Sequence, residues 1–144
     1  MSNLNQFRPT DHKGIVVTPK NSRECRAGEA LTAGDIVKIK DVAGPITTVV
    51  KVAAATDKVF GVVAYDSARK VDYAEGEILN IAYDYSIVKM EANTTIAAGA
   101  EVAAVPNGMK VATAASGNVA FGQACIQAAA GELVPVMLHR AETV

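Results

Sequence analysis

The sequence predicts an all-β domain: a compact β-barrel or sandwich of two related halves, preceded by an extended amino-terminal arm. Three observations lead there. Turn-forming residues recur roughly every eight to twelve positions, as in sandwiches and barrels. No stretch sustains the period of an amphipathic helix. Two parts of the chain also repeat one another in order. The first contains Leu31-Thr32-Ala33-Gly34-Asp35-Ile36-Val37, then Val59-Phe60-Gly61-Val62, then Glu75-Gly76-Glu77-Ile78-Leu79-Asn80-Ile81. The second contains Ile96-Ala97-Ala98-Gly99-Ala100-Glu101-Val102, then Val119-Ala120-Phe121-Gly122-Gln123-Ala124, then Ala130-Gly131-Glu132-Leu133-Val134-Pro135-Val136. The repeated residues form turns and cores, and none is a nucleophile, a general base or a metal ligand.

Each element follows from local chemistry. Residues 1–13 are polar and unpatterned and read as an arm; residues 14–144 read as a single β-domain, duplicated over about 30–83 and 95–138. Gly14 to Thr18 is β-branched and short, a first strand closed by Pro19. Cys25 to Leu31 reads as a short strand or turn around Gly28. Ile36 to Lys40 alternates imperfectly, as a half-buried strand does. Ala43-Gly44-Pro45 is a turn, and Ile46 to Ala53 the strand after it. Ala53 to Asp57 is either one helical turn or a loop, too short to stand as a helix. Val59 to Tyr65 is a strand whose Gly61 marks a bulge or a close backbone approach, and Gly122 repeats the signal. Asp66 to Ala74 is a charged loop. Glu77 to Tyr83 is a strand, with Tyr85 to Met90 expected as its hairpin partner.

The second half runs through a turn at Gly99, a strand Glu101–Val105, a turn at Pro106-Asn107-Gly108 and a strand Met109–Ala112. Asn-Gly is a tight-hairpin signal because both residues accept positive φ. A strand Val119–Ile126, a turn Ala128–Gly131, a strand Leu133–Leu138 and a polar tail from Arg140 complete the chain.

The 144 residues carry a formal net charge of -1, half of them are hydrophobic, only 5% are aromatic, and Trp is absent. Ala and Val therefore fill the core, which suits a narrow barrel and flat subunit contacts. Basic residues are dispersed among acidic ones, as in Lys38, Lys40 and Asp41, so the stripe that neutralises phosphates is missing and nucleic acid is not an expected partner. The amino terminus lacks the apolar segment of a secretory signal, and no apolar run reaches the length that spans a bilayer. The expected protein is soluble and made in the cytoplasm, with Cys25 and Cys125 as free thiols.

No constellation of catalytic residues emerges. His12 lies in the arm and His139 just past the last expected strand, and neither has a nucleophile or a metal-ligand set nearby. Glu75 and Glu77 flank Gly76 in a turn, where turn formation accounts for them; Asp72 and Asp84 make no catalytic pair. No phosphate-cradling loop occurs. One motif, Val88-Lys89-Met90-Glu91, resembles the hairpin on which biotinyl domains carry their cofactor at lysine, which would make the chain a small carrier barrel. The residue before Lys89 is Val, not the Met of that motif, and no cofactor is expected.

Taken together, Ala33-Gly34-Asp35-Ile36-Val37, Val59-Phe60-Gly61-Val62, Glu75-Gly76-Glu77, Ile96-Ala97-Ala98-Gly99, Phe121-Gly122-Gln123-Ala124 and Ala130-Gly131-Glu132 resemble the head decoration (cement) proteins of tailed bacteriophages. The resemblance implies a non-enzymatic virion protein on the outer capsid surface. It would be a homotrimer that bridges subunits of the major capsid protein and stabilises the head. Another virion β-module, of a tail or fibre, is the alternative. On this reading the arm reaches a neighbouring capsid subunit: Phe7 buries apolar area, Arg8 pairs with a carboxylate, and Pro9 limits the ordering entropy.

Overall fold

The computed structural model describes residues 12–65 and 71–144, and all regular structure among them is β. Thirteen strands follow in order. They are β1 (Val16–Thr18), β2 (Asn21–Ala27), β3 (Leu31–Thr32), β4 (Ile36–Ala43), β5 (Ile46–Lys51), β6 (Gly61–Val63) and β7 (Asp72–Tyr73). Then come β8 (Ile78–Tyr83), β9 (Ile87–Glu91), β10 (Glu101–Ala104), β11 (Val111–Thr113), β12 (Val119–Ala124) and β13 (Leu133–Thr143). Among the described residues no helix is long and apolar enough to cross a membrane.

Strands β2-β5-β4-β6-β8 close into a barrel, and β1-β9-β13-β12-β10-β11 form a six-stranded sheet. In the barrel, β2 pairs in parallel with β5 at Ala27 and Val49. In the second sheet, one parallel bridge between Ala92, just after β9, and Val111 of β11 makes the equivalent link. The circular order β2-β8-β6-β4-β5 of the first unit therefore equals β9-β13-β12-β10-β11 of the second. The small β3–β7 ladder, joining Leu31 to Tyr73, has its counterpart in the bridge between Ile96 and Ala128.

The turns repeat in atomic detail. Gly34 and Gly99 both take positive φ, 93° and 83°, and donate to Val63 and Ala124 at 2.8 Å each. Glu77 and Glu132 each accept from the backbone three residues earlier, at 2.7 Å from Ala74 and from Ala129. These carboxylates close turns, as expected of the Gly-Glu pattern. Asn107 and Gly108 have φ of 78° and 64°, the backbone an Asn-Gly hairpin requires.

The strand glycines answer to close approach. A Cβ on Gly61 would lie 2.4 Å from the Ala82 carbonyl oxygen and 2.6 Å from Ile81 Cγ2. A Cβ on Gly122 would lie 2.4 Å from Val136 Cγ1 and 3.0 Å from the Met137 oxygen. The pairing of β12 with β13 also shifts register between Ala120 and Gly122, so the second glycine sits at a bulge as well.

Two clusters make the core. Cys25, Ala27, Leu31, Val37, Val49, Val63, Tyr73, Leu79 and Ile81 fill the first barrel. The larger cluster joins Ile36, Val52, Val59, Val62 and Ala82, on the outside of that barrel, to Val88, Met90, Phe121, Val136 and Leu138 inside the second unit. Adjacent residues Ile36 and Val37, Val62 and Val63, and Ile81 and Ala82 thus face different clusters. Over these residues the strands are buried on both sides and lack the polar alternation of a half-exposed strand.

Several expectations need correction. Strand β2 begins at Asn21, ahead of the Cys25–Leu31 segment. Its first four residues are exposed, so no apolar alternation marks them, and four of the six pairs with β8 hold them instead. Strands β8 and β9 are not a hairpin: β8 pairs with β2 and β6, β9 with β1 and β13. Between them Tyr85, at φ 71°, turns the chain from one sheet into the other. The Ala53–Asp57 segment takes the second of its two expected forms, a loop, held by Asp57, whose Oδ2 accepts from Ala53 at 2.7 Å, Ala54 at 3.2 Å and Lys38 Nζ at 3.1 Å. The strand through Phe60 is reduced to Gly61–Val63. The chain beyond His139 stays in β13, with Glu142 opposite Ala120 and Thr143 opposite Val119.

Candidate docking surface

The root of the arm is fixed to the domain. Gly14, at φ 90°, leaves no room for a Cβ, which would lie 2.6 Å from Gly34 N. Its N–H donates to Lys89 O at 2.7 Å, and its carbonyl accepts from Tyr65 at 2.8 Å. Lys13 lies across Gly34, so close that a Cβ there would meet Lys13 Cγ at 2.3 Å. Its ammonium donates to Met109 O at 3.2 Å and stands 3.5 Å from Asp35 Oδ1. Asp35 is buried and accepts from Thr32 N through Oδ2 at 2.8 Å. Among the described residues its Oδ1 has no hydrogen-bond partner; the 3.5 Å contact with Lys13 is an ion pair without hydrogen-bond geometry. One lysine thus ties the arm's root to the turn of the first unit and to the hairpin of the second. His12 lies beside Tyr65, ring centroids 5.4 Å apart, and its Nδ1 is 2.6 Å from Lys13 O. Phe7, Arg8 and Pro9 lie outside the described residues.

The remaining chemistry-bearing residues are scattered. Cys25 is buried and Cys125 exposed, and both are free thiols. Burial pushes the Cys25 thiol upward against the opposing pull of Arg23, so it is held as the unreactive neutral form. His139 pairs with Glu101 at 2.7 Å, and its Nδ1 is 2.8 Å from Arg140 O. Burial lowers its pKa, the bonds to Arg140 and Glu101 and the nearby Glu142 raise it, and the balance lies above the ordinary value. Among the described residues no three of His, Cys, Asp and Glu gather to hold a metal.

Lys89 corrects the carrier reading. It lies within β9, opposite Pro135 of β13, and its N–H donates to Ile15 at 2.9 Å. A carried lysine needs the tip of a hairpin, and this one is in a strand flanked on both sides.

Exposed apolar residues suit contact better than catalysis. Met109, beside the arm's root, is 48% exposed, and Ile39 on β4 is 47% exposed. Ile126 borders a shallow groove with Lys89, Leu133 and Pro135. The sequence did not single out Ile39 or Met109. Ile39 continues an inward-facing alternation past the end of the barrel core, which was its only signal.

No family model matches the chain, and no curated protein matches it. Among solved structures, the fold is similar to the N base of the head fiber protein gp8.5 of bacteriophage phi29, with a TM-score of 0.61 and 17% identity. The match covers 86% of this chain and 98% of that one.

Proposed function

We propose that the chain is a structural component of a tailed-phage virion that docks on the outside of the head. In this reading it bridges subunits of the major capsid protein, associates with further copies of itself and works without an active site. The observation that carries the proposal is the fold likeness to a head fiber base over nearly the whole of both chains. The shared strand order of the two units, read as an internal duplication, fits a scaffold doubled for contact area. The arm would supply a second contact beside that of the β-domain, and linked weak contacts give high avidity. Because Lys13 is packed into the domain, it would not itself be among the residues that meet the capsid.

The same likeness favours a second reading, in which the domain is the base through which a fibre is fixed to the head. Sedimentation separates the possibilities. The full chain is mixed with purified heads, or with purified tails, of the phage whose virions contain it, and the heads are then heated. Bridging predicts pelleting with heads and a rise in their resistance to heat. A fibre base predicts pelleting with heads and no such rise. Pelleting with tails alone, or with neither, refutes both. A chain lacking residues 2–11 should stay folded and pellet more weakly; equal binding would remove the arm from the account.

A further inference from the structure

The two units end differently at equivalent places. In the second unit Val88, Ala104, Phe121 and Leu138 are buried, in one cluster with Ile36, Val52, Val62 and Ala82 of the first. The outside of the first barrel thus caps the end of the second unit. The equivalent positions of the first unit are Arg23, Ile39, Phe60 and Tyr83. Arg23, Ile39 and Tyr83 each lie two residues beyond an inward-facing core residue, Cys25, Val37 and Ile81, so strand alternation points them the same way. Pairing brings them to one end: Val37 is opposite Gly61, and Val63 opposite Ile81. Phe60 and Tyr83 stack there at 5.4 Å and 24°. Both are half-buried, Arg23 is exposed, and Ile39 is 47% exposed. This end carries the larger apolar residues and is the one left open.

The capping side also has a counterpart. Ile36, Val62 and Ala82 correspond in the second unit to Glu101, Gln123 and Met137, which form an outward face, exposed or half-buried. Where the internal contact uses aliphatic Ile36 and Val88, the two open surfaces present an anion, Glu101, and a cation, Arg23. The swap is complementary.

We propose that the open end of the first barrel is capped by the Glu101–Gln123–Met137 face of another copy of this chain, with Arg23 set against Glu101. The proposal rests on the self-association put forward above and names its surfaces. It repeats between copies the contact that joins the units within one copy. Such a head-to-tail contact closes into a ring or propagates as a filament, whereas an isologous pair does neither.

The test uses the full chain in sedimentation velocity over a wide concentration range. Arg23→Glu and Glu101→Arg should each weaken association about tenfold or more by placing like charges together, and the double variant should recover it. Ile39→Lys, at an exposed site, should weaken it as well. In a Cys125→Ser background, a chain with Ile39→Cys mixed with one carrying Gln123→Cys should form a mixed disulfide, while either alone should not. A chain that stays monomeric throughout overturns both this inference and self-association. A chain that associates with unchanged strength in the charge variants, or that cross-links through Ile39→Cys alone, overturns these surfaces and leaves self-association standing. If association is lost on removing residues 2–11 but not with Ile39→Lys, the arm is the contact and the inference fails. Pelleting with heads is scored separately, so failure of capsid docking leaves the inference intact.

Discussion

Replacing Gly61 by Ala tests why glycine recurs inside two strands. The new methyl would sit 2.4 Å from the Ala82 oxygen and 2.6 Å from Ile81 Cγ2, well inside van der Waals contact. The oxygen belongs to β8, whose register is set by β2 on one side and β6 on the other, so it has little freedom to retreat. Overpacking a tight core costs about 1–3 kcal/mol, and contact with fixed backbone puts Gly61→Ala near the top of that range. Loss of glycine's freedom in the unfolded chain offsets about 0.4–1 kcal/mol. The net loss is about 2 kcal/mol, which in a protein of this size lowers the melting temperature by about 4–8 °C. Gly122→Ala should cost a similar amount, since its nearest neighbour, Val136 Cγ1 at 2.4 Å, belongs to a fully buried β-branched side chain with little freedom to turn. Gly117→Ala is the control: no described residue has an atom within 4 Å of the new Cβ, but φ is +88°, so its cost is backbone strain of about 1 kcal/mol. Urea and thermal unfolding read all three. If Gly61→Ala is as stable as the parent, or loses less than Gly117→Ala, close approach is not what selects glycine there.

Other outcomes follow from the same geometry. Lys13→Met leaves buried Asp35 without its cation and should cost about 3 kcal/mol; Lys13→Met combined with Asp35→Asn should recover part of that in chemical denaturation. A thiol reagent should titrate one cysteine, Cys125, quickly in the folded protein and both in denaturant; fast reaction of two in the native state would contradict the burial of Cys25. His139 has a folded pKa above its ordinary 6.5, so protonation favours the folded state. That stability is fully present below the unfolded pKa and is lost as pH rises through the folded one. Unfolding measured from about pH 6 to about pH 8 should show this decline, and Glu101→Gln should flatten it; an unchanged slope in the variant would remove Glu101 as the partner.

What the sequence made legible was local. Glycines at positive φ, the Asn107-Gly108 hairpin and the Gly-Glu turns are decided within a few residues, and they fell where their chemistry required. Partner choice was not legible. Strand β2 is exposed over Asn21 to Glu24 and is held by backbone pairing with β8, far along the chain. Tyr83 and Tyr85 read as two arms of a hairpin because a short polar turn separates them; only the closure of the first barrel shows that they leave in different directions. Likewise Arg140 to Thr143 is polar because that end of β13 faces solvent, although its backbone is paired. The surfaces were hidden for the same reason: Ile39 looks like any alternating apolar residue until the barrel around it is seen to end.

If the chain docks on the outside of a phage head as proposed, antibody labelling of intact virions in the electron microscope will find it there. The expected result is label distributed over the head exterior of intact particles. Label confined to the tail, or label that reaches the protein only after the head is broken open, would contradict it.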